Sequence, residues 1–338
     1  MILAGGMSTR LYPLTRAVPK PLVPVAGEPI TAHVLRWLKS FGYDEIWINV
    51  HYLANAIHAT FGDGSAYGVK LHYLDEPELM GSAGSVKTLE ACFPEPFVVV
   101  GCDDLTDANL ESLVAFRTKR NAVAAIGLVE ADEVDQYGVV ITNADGRIVD
   151  FQEKPAKGTE RSKLVNTGIY AFDPGIFSYI PAKTFYDFGK QVFPALRAAD
   201  AEFYGFRMNG AYWRDIGTPG EYVRATNDVL AGRVHLRGTR VRGMAPDTAL
   251  GDDIRIEGDV RIGSGVRLGA RVRITGPSVI GDGVTIGDDA HLERTIVWDG
   301  ASIGARTRVR DAIIGITYDV PADTSLSDAI VANEPVAP

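Results

Sequence analysis

The first 230 residues alternate short apolar runs with segments of helical spacing. The runs that predict strands are residues 45–49, 69–73, 97–101, 122–128, 138–142 and 163–172. The segments that predict helices are residues 29–41, 54–61, 83–92 and 110–119. This alternation predicts an α/β fold with a mostly parallel, Rossmann-like sheet covered by helices, in which ligands bind beyond the carboxyl ends of the strands.

The pattern changes at Leu250 to one aliphatic residue in every six. The series is Leu250, Ile256, Ile262, Leu268, Ile274, Ile280, Ile286, Leu292 and Trp298, and glycine often follows a member. An inward aliphatic at each sixth position, with glycine at the corners, describes a β-helix whose stacked coils bury one column. It resembles the hexapeptide repeat of left-handed parallel β-helices. The step slips by one after Ser302, and about four coils are expected.

These two patterns divide the chain into two predicted domains. Residues 1–232 form the sheet domain, and residues 233–338 form the β-helix with a C-terminal tail, the repeat being clearest over 250–315. A chain of 338 residues is about twice a typical domain, which fits this division. Arginines at 255, 261, 267 and 273 also keep the six-residue step, and we interpret them as a solvated outer face.

Composition narrows the class of protein. No run approaches the ~18 apolar residues of a membrane span, and no signal peptide is recognisable. A formal net charge of -9 argues against a nucleic-acid partner, which requires an extended basic surface. Two cysteines, Cys92 and Cys102, favour free thiols in a reducing compartment, so a cytoplasmic location is expected.

The N-terminal segment departs from this acidic background. Residues 1–27 contain Arg10, Arg16 and Lys20 but no acid, although the chain-wide frequency would place about three there. Gly5 and Gly6 follow an apolar run, where a tight turn lets backbone N–H groups approach a ligand closely. Four prolines between positions 13 and 24 block helix formation and keep the loop ordered. The segment therefore predicts a polyphosphate cradle.

Acidic residues follow the predicted strand 97–101 directly. Asp103 emerges at the carboxyl edge of the sheet, where a carboxylate can hold Mg²⁺ together with substrate phosphates. Asp104 and Asp107 compete for this role on the sequence alone. Asp107, shortly before the helix 110–119, is the better candidate for its N-cap.

Several ordered motifs resemble the sugar-1-phosphate nucleotidyltransferases, also called nucleoside-diphosphate-sugar pyrophosphorylases. They are LAGGMSTRLYPLT and PKPLVPVAGEPI at the N-terminus, MGSAGS from Met80, VVVGCDDLTD from Val98, EKP from Glu153, NTGIYAF from Asn166 and WRDIGTPGEY from Trp213. The set spans nearly the whole chain, β-helix included. The resemblance implies attack of a sugar-1-phosphate oxygen on the α-phosphorus of a nucleoside triphosphate, giving a nucleoside-diphosphate sugar and pyrophosphate.

The resemblance also implies residue roles. Arg10, Lys20, Asp103 and Asp215 would be catalytic, with Asp103 and Asp215 holding Mg²⁺. The nucleotide would be bound by Leu3, Ala4, Gly5, Gly6, Arg10, Gly81, Ser82 and Asp103, and the sugar phosphate by Gly138, Glu153, Lys154 and Asn166. Two anions must meet in this reaction, so charge neutralisation and in-line positioning are its main demands.

Two positions depart from the family pattern. Ser8 and Cys102 stand where the family usually has glycine. If position 8 needs a positive φ, its Cβ costs about 1 kcal/mol. The chain also opens directly at the first strand, where relatives carry two or three more residues, which leaves open a start further upstream.

Substrates and assembly are less constrained. The loop, the GSAG turn and the β-helix tail look most like mannose-1-phosphate guanylyltransferases, which implies GTP, mannose-1-phosphate and GDP-mannose. Glucose-1-phosphate thymidylyl- or uridylyltransferase is the alternative, and so is a non-catalytic sugar-nucleotide-binding regulatory subunit. A β-helix acyltransferase would depend on His291. A homo-oligomer assembled through the β-helix is expected.

Overall fold

The computed structural model describes residues 1–334, so positions 335–338 of the predicted C-terminal tail lie outside the described residues. Contacts group the chain into two compact units. Met1–Met7 and Val34–Asp215 form unit 1, while Ser8–His33 and the chain from Ile216 onward form unit 2. Each unit has its own apolar core.

Short strands are the most numerous elements of the described structure. The strands before residue 216 are β1 (Ile2–Leu3), β2 (Pro24–Val25), β3 (Glu28–Pro29), β4 (Glu45–Val50), β5 (Lys70–Asp75), β6 (Phe97–Gly101), β7 (Asp104–Thr106), β8 (Ala124–Glu130), β9 (Gly138–Thr142), β10 (Ile148–Glu153), β11 (Leu164–Phe172), β12 (Phe203–Arg207) and β13 (Trp213–Asp215). The later strands are β14 (Gly243–Met244), β15 (Ala249–Leu250), β16 (Arg255–Glu257), β17 (Val260–Ile262), β18 (Arg267–Leu268), β19 (Arg273–Thr275), β20 (Ser278–Ile280), β21 (Thr285–Ile286), β22 (His291–Glu293), β23 (Ile296–Val297), β24 (Ser302–Ile303), β25 (Arg308–Arg310), β26 (Ile313–Ile314), β27 (Asp319–Val320), β28 (Ser325–Ser327) and β29 (Ile330–Val331).

The helices are fewer than the strands. The α-helices are α1 (Ile30–Lys39), α2 (Ala54–Phe61), α3 (Gly81–Thr88), α4 (Leu110–Lys119), α5 (Phe193–Ala198) and α6 (Pro219–Leu230). Short 3-10 turns occupy Thr9–Leu11, Leu14–Arg16, Lys20–Leu22, Ser65–Tyr67, Glu90–Cys92 and Pro174–Tyr179, and a π-helical turn occupies Phe188–Val192. No helix within residues 1–334 is long and apolar enough to cross a membrane.

Unit 1 is built on a nine-stranded mixed sheet. Strands β6, β1, β4 and β5 run parallel, and β11 joins β6 in antiparallel orientation. Ile2 at the centre pairs with both Ile48 and Val100. The carboxyl ends of β1, β4 and β6 therefore meet at one edge, which is where α/β sheets bind their ligands.

The predicted secondary structure of this unit is largely confirmed. The strands 97–101 and 138–142 and the helices 54–61 and 110–119 have the predicted bounds. The helix expected over 83–92 begins earlier and ends at Thr88, and a 3-10 turn follows. Strands β10 and β12 and helices α5 and α6 were not predicted.

Unit 2 contains the left-handed β-helix, formed by three parallel sheets of six, five and five strands. The buried column includes Ile262, Leu268, Ile274, Ile280, Ile286, Leu292, Val297, Ile303, Val309, Ile314 and Val320. Sixteen strands make five coils and the start of a sixth, one more than the four expected. The strands at the two ends of the β-helix, β14 to β16 and β27 to β29, pair on one side only.

One assignment in the repeat was wrong. Val297, and not Trp298, continues the column, because Val297 pairs with Ile280. The corner between Glu293 and Ile296 is one residue shorter than the corresponding corner of the previous coil. Trp298 thereby takes the corner position that glycine occupies in the neighbouring coils, as the bonds of Gly281 to Val297 and of Trp298 to Ile314 show.

Candidate active site

A cavity of about 290 Å³ lies at the carboxyl edge of the sheet in unit 1. Its lining includes Leu3, Gly5, Gly6, Asn49, Glu76, Leu79, Gly81, Ser82, Ser85, Phe185 and Asp187. A Cβ at Gly5 would lie 2.8 Å from Asn49 Nδ2, so this position requires glycine. A Cβ at Gly6 would meet nothing within 4 Å. The turn after β1 therefore combines close packing at Gly5 with an open backbone at Gly6, as a ligand-binding loop requires.

A hydrogen-bonded chain fixes the acid in this cavity. Asn49 Oδ1 accepts from the Ala4 N–H at 2.8 Å, and Asn49 Nδ2 donates to Glu76 Oε2 at 3.0 Å. Because the Ala4 bond fixes the amide orientation, Asn49 donates to the carboxylate. Glu76 is 6% exposed, and its Oε1 has no hydrogen-bond partner among the described residues. A buried carboxylate oxygen in this state can accept a donor that the protein does not supply, from water or from a ligand.

The opposite wall is the start of α3. Gly81 has a φ of 73°, and a Cβ there would lie 2.6 Å from the Tyr186 carbonyl oxygen. The Ser82 N–H and hydroxyl both donate to Asp187 Oδ1, at 3.1 and 3.2 Å. The GSAG turn is thus fixed to the segment 185–187, whose Phe185 leaves its ring 55% exposed beside the cavity.

Two of the predicted acids lie next to each other in unit 1. β7 and β13 pair in antiparallel orientation with Asp215 opposite Asp104, and Asp103 immediately precedes β7. Asp103 and Asp215 therefore lie at the same end of this two-stranded sheet. The described residues include no group of three or more His, Cys, Asp or Glu side chains suited to a metal ion. A metal bound here would take its remaining ligands from substrate and water, as Mg²⁺ commonly does.

The neighbouring acids have structural partners. Asp104 is buried, and it accepts from the Gly101 N–H and the Trp213 indole N–H, each at 3.1 Å. The expectation that Asp107 caps the following helix was wrong. Asn109 is the N-cap of α4 and accepts from the Ser112 N–H, while Asp107 accepts from the Tyr212 N–H at 2.8 Å. The sequence could not rank these carboxylates, because their partners come from distant β13.

The residues assigned to the sugar phosphate form a second group in unit 1. Gly138 begins β9 and pairs with Glu153 at the end of β10. A Cβ at Gly138 would lie 3.3 Å from Glu153 Oε2 and 3.9 Å from the Asn166 Cβ. Lys154 follows with a φ of 45° and an exposed side chain. Three strands thus bring a carboxylate, an amide and a bare glycine backbone together.

A buried tyrosine orients the amide of this group. Asn166 Nδ2 donates to the Tyr170 hydroxyl oxygen at 3.1 Å, and Asn166 Oδ1 accepts from the Gly168 N–H at 3.0 Å. Burial raises the pKa of Tyr170, and the carboxylates of Asp104 and Glu153 raise it further. The Tyr170 phenol therefore stays protonated. Of the two carboxylates that act on it, Asp104 lies on β7 beside the predicted metal ligands, and Glu153 is one of the residues assigned to the sugar phosphate.

The two predicted cations lie in unit 2, on the segment that follows Gly6. Arg10 is exposed within the 3-10 turn Thr9–Leu11, while Lys20 begins the next-but-one turn and is 92% buried. Ser8 has a φ of 52°, which confirms that this position adopts the conformation that favours glycine. The Thr15 hydroxyl donates to the Ser8 carbonyl oxygen at 2.8 Å and holds the turn.

Sequence reasoning missed Asn49, Glu76, Phe185 and Asp187. Asn49 is a polar residue near the end of an apolar strand, and Glu76 directly follows another. Both stand at carboxyl ends of parallel strands, which is a signal that the sequence contained. Phe185 and Asp187 carried no comparable signal, because they lie on an irregular segment.

His291, on which an acyltransferase would depend, lies within the β-helix of unit 2. It lies on β22, in register between Arg273 and Arg308 of the adjacent coils. Partial burial lowers its pKa, and the two arginines lower it further. These surroundings reflect its place in a cationic row on one face of the β-helix.

Comparisons with known proteins identify the family of the chain. The family model described as nucleotidyl transferase matches residues 1–232. A UTP–glucose-1-phosphate uridylyltransferase of Synechocystis is 35% identical over 322 residues, covering 88% of this chain and 82% of that protein. A mannose-1-phosphate guanylyltransferase of Mycobacterium tuberculosis is 32% identical over 300 residues, covering 88% of this chain and 79% of that protein.

A solved structure supports the same assignment. A Bacillus anthracis protein assigned as a glucose-1-phosphate thymidylyltransferase, in complex with sucrose, superposes with a TM-score of 0.61 at 26% identity. The match covers 70% of this chain and 96% of that one. The chain therefore belongs to the nucleotidyl transferase family, among the sugar-1-phosphate nucleotidyltransferases.

Proposed function

We propose that the protein transfers guanylyl from GTP to mannose-1-phosphate, giving GDP-mannose and pyrophosphate. The observation that carries the choice of base is the unpartnered Oε1 of Glu76 in the cavity at the sheet edge. An ionised carboxylate only accepts hydrogen bonds. Guanine presents two neighbouring donors, its N1–H and its 2-amino group, and both can point at one carboxylate.

Pyrimidine bases suit this carboxylate less well. Uracil and thymine present a single N3–H flanked by two carbonyl oxygens, which would face the Glu76 oxygens as a second set of acceptors. Asn49 Nδ2 donates to Glu76 Oε2 at 3.0 Å and to Ser85 Oγ at 3.3 Å, so both of its N–H donors are in use and neither is left for those carbonyls. Leaving a buried acceptor unpaired costs about 1–3 kcal/mol, which corresponds to roughly 10- to 100-fold in discrimination.

Magnesium is the metal that the donor set suits. Asp103 and Asp215 offer two carboxylates at one sheet end, and Mg²⁺ prefers oxygen ligands and commonly keeps water and phosphate in the remaining positions. When bound, the ion would neutralise phosphate charge and orient the triphosphate. The bonds of Asp104 to Gly101 and Trp213 give that carboxylate a structural role beside the pair.

The other site residues divide the remaining work. Arg10 and Lys20 neutralise the triphosphate and the departing pyrophosphate, and the backbone of Gly5 and Gly6 contacts the nucleotide. Glu153 accepts hydrogen bonds from sugar hydroxyls, and Asn166 donates hydrogen bonds to them. Lys154 pairs with the sugar phosphate. Asn166 is held for this by Tyr170 and Gly168.

A regulatory subunit that binds sugar nucleotides without turnover is the alternative of a different class. Such a protein has no need of both metal carboxylates together with Arg10 and Lys20, and this chain has all four. Pyrophosphate release decides between the two. With Mg²⁺, GTP and mannose-1-phosphate we expect turnover, and glucose-1-phosphate with UTP or dTTP should react at least ten times more slowly. Binding without release from any pair would contradict the proposal.

We also propose that the chain assembles through its β-helix, at the open first coil. Met244, Leu250 and Ile256 are 41%, 50% and 38% exposed, although they occupy the positions that later coils bury almost completely. The strands β14, β15 and β16 that carry them each have an unpaired edge. A second copy that meets this end with its own first coil would bury both surfaces in a closed twofold dimer.

A further inference from the structure

The cation-bearing segment 8–33 folds against the β-helix unit, and a buried pair of aromatic residues fastens it there. The Tyr222 hydroxyl donates to the Pro24 carbonyl oxygen at 2.7 Å, and the Trp298 indole N–H donates to the same hydroxyl at 2.9 Å. Tyr222 is fully buried and Trp298 is 2% exposed. The three groups form one relay that runs from the β-helix through α6 to the loop.

The protonation state of Tyr222, the geometry of the two rings and the position of Trp298 indicate that this contact is specific. Burial raises the pKa of Tyr222, so its hydroxyl keeps the proton that it donates to Pro24. The two rings meet edge to face with centroids 6.2 Å apart. Trp298 stands at a corner where the coils before and after have Gly281 and Gly315, and the shortened corner before Ile296 brings it there. A large indole at a glycine corner is unusual, and its N–H has a defined partner.

A second contact fixes the same segment from another coil. β2 and β3 form a hairpin whose turn residues Ala26 and Gly27 both have positive φ. The Arg261 guanidinium covers Gly27 so closely that a Cβ at Gly27 would overlap it. Arg261 is 7% exposed and donates through Nε to the Arg240 carbonyl oxygen at 3.2 Å. Residues of unit 2 therefore contact the hairpin at two points, Tyr222 at Pro24 and Arg261 at Gly27.

Lys20 lies four residues before Pro24, and the intervening backbone is rigid. The Val23 N–H donates to the Lys20 carbonyl oxygen at 3.0 Å, and the Ile30 N–H donates to the Val23 carbonyl oxygen at 2.9 Å. Pro21 and Pro24 restrict φ on either side. We therefore expect a displacement of the Pro24 carbonyl to shift the backbone of Lys20 as well.

We propose that Tyr222 and Trp298 are positioning residues for Lys20, so that the β-helix sets the catalytic rate through this relay. The inference rests on the proposed function, since it takes Lys20 as the cation that stabilises the triphosphate in the transition state. It assigns to the β-helix a role in turnover that is separate from assembly. A misplaced cation lowers kcat more than it weakens substrate binding.

Tyr222→Phe tests this, because it keeps the ring and removes both hydrogen bonds of the relay. We expect kcat to fall about tenfold while KM for the sugar phosphate changes less than twofold, and Trp298→Phe should act in the same direction. Tyr73→Phe is the matched control, because the Tyr73 hydroxyl also donates to a carbonyl oxygen, that of Gly62, at 2.7 Å. The control should keep kcat within twofold.

A double-mutant cycle shows whether the effect passes through Lys20. In a Lys20→Arg background, Tyr222→Phe should lower kcat less than twofold, because the cation is already displaced. An equal tenfold loss in both backgrounds, or an unchanged kcat in Tyr222→Phe, would overturn the proposal.

Amide hydrogen exchange keeps the test separate from the proposed function. Tyr222→Phe should speed exchange at Val23 at least tenfold in the purified full chain, and Tyr73→Phe should not. Unchanged protection at Val23 would also overturn the relay. If the wild-type chain released no pyrophosphate, the proposed function would fail, while the exchange result would still decide whether the relay holds the loop.

Discussion

At the scale of single residues, the account depends on what each carboxylate touches. Asp104 and Glu76 are both buried acids, yet both oxygens of Asp104 accept protein hydrogen bonds, whereas Glu76 has one oxygen without a partner among the residues described. This difference is the reason why we propose a structural role for Asp104 and a ligand-binding role for Glu76. Composition and motif spacing cannot show it.

Glu76→Gln should weaken the preference for guanine. The amide replaces one accepting oxygen by a donor, so one of the two bonds to guanine is lost and the carbonyl of a pyrimidine gains a partner. We expect kcat/KM for GTP to fall roughly 10- to 100-fold, and kcat/KM for UTP to change less or to rise. Steady-state pyrophosphate release with both nucleotides measures this. Equal losses for both would contradict the assigned role.

Ser8→Gly should stabilise the protein. The φ of 52° at Ser8 disfavours a side chain, and glycine adopts it without strain, so we expect the free energy of unfolding to rise by about 0.5–1 kcal/mol. Thr9→Gly is the matched control, since Thr9 lies in the 3-10 turn without a positive φ, and it should lower the free energy. Chemical denaturation of the three proteins provides the comparison, and a loss of stability in Ser8→Gly would refute the strain argument.

At the scale of elements, the sequence was most informative where one local rule dominates. Strand 97–101 and helix 110–119 follow from uninterrupted patterns, and the six-residue step gives the β-helix. The pattern failed at Trp298. The preceding corner is one residue shorter, so Trp298 still falls on the sixth position although its neighbour Val297 enters the column. Helix α6 was missed although the sequence contains its start signals, an N-cap Thr218 followed by Pro219 and Glu221.

The same distinction applies to the site. Arg10, Lys20 and Asp103 stand out in a charge pattern or at a strand end, whereas the group of Gly138, Glu153 and Asn166 comes from three strands that are far apart in sequence. The tertiary fold brings these residues together. Only the family resemblance could point to it beforehand.

Arginine–aspartate pairs at the corners of the β-helix indicate how its stability depends on pH. Arg271, Arg294 and Arg306 each form paired hydrogen bonds with an aspartate of the next coil, namely Asp289, Asp311 and Asp323. The arginines lower the pKa of these carboxyls below the ordinary 3.8. A lowered folded-state pKa contributes stability above the unfolded value, and this contribution is lost as the pH falls through the folded value.

We therefore expect the midpoint of thermal unfolding to decrease as the pH drops below the ordinary carboxyl pKa of about 4, in part because these pairs are lost. Arg306→Gln removes one pair, so its midpoint at neutral pH should be lower, and its acid-dependent decrease should be smaller than that of the wild type. Because the pairs are exposed, high salt should reduce the difference. If the unfolding midpoint of Arg306→Gln decreased in acid as much as that of the wild type, the Arg306–Asp323 pair would not contribute to the pH dependence.

At the scale of the whole molecule, the two units divide the predicted catalytic groups between them. Asp103 and Asp215 belong to unit 1, and Arg10 and Lys20 belong to unit 2 together with the β-helix. Residues 8–33, which the sequence places in the sheet domain, thus group with the C-terminal part of the chain. The β-helix is expected to affect turnover as well as assembly.

Self-association through the first coil can be tested by placing charge there. Leu250→Asp should convert the dimer to a monomer, because it introduces a carboxylate into the exposed apolar end at a position that is 50% exposed. Light scattering coupled to size exclusion measures the mass. Ile316→Asp is the control, since Ile316 is a similarly exposed residue at 39% on a later coil. A monomeric wild type, or a dimer that survives Leu250→Asp, would contradict this interface.

The most direct test of the central claim is the identity of the nucleotide sugar that the enzyme makes under competition. The wild-type protein, supplied with Mg²⁺, equal concentrations of GTP, UTP, dTTP, ATP and CTP, and both mannose- and glucose-1-phosphate, is sampled early and its products are resolved by mass spectrometry. The account predicts GDP-mannose as the main product, formed together with an equal amount of pyrophosphate. A pyrimidine nucleotide sugar as the main product, or no nucleotide sugar at all, would contradict it.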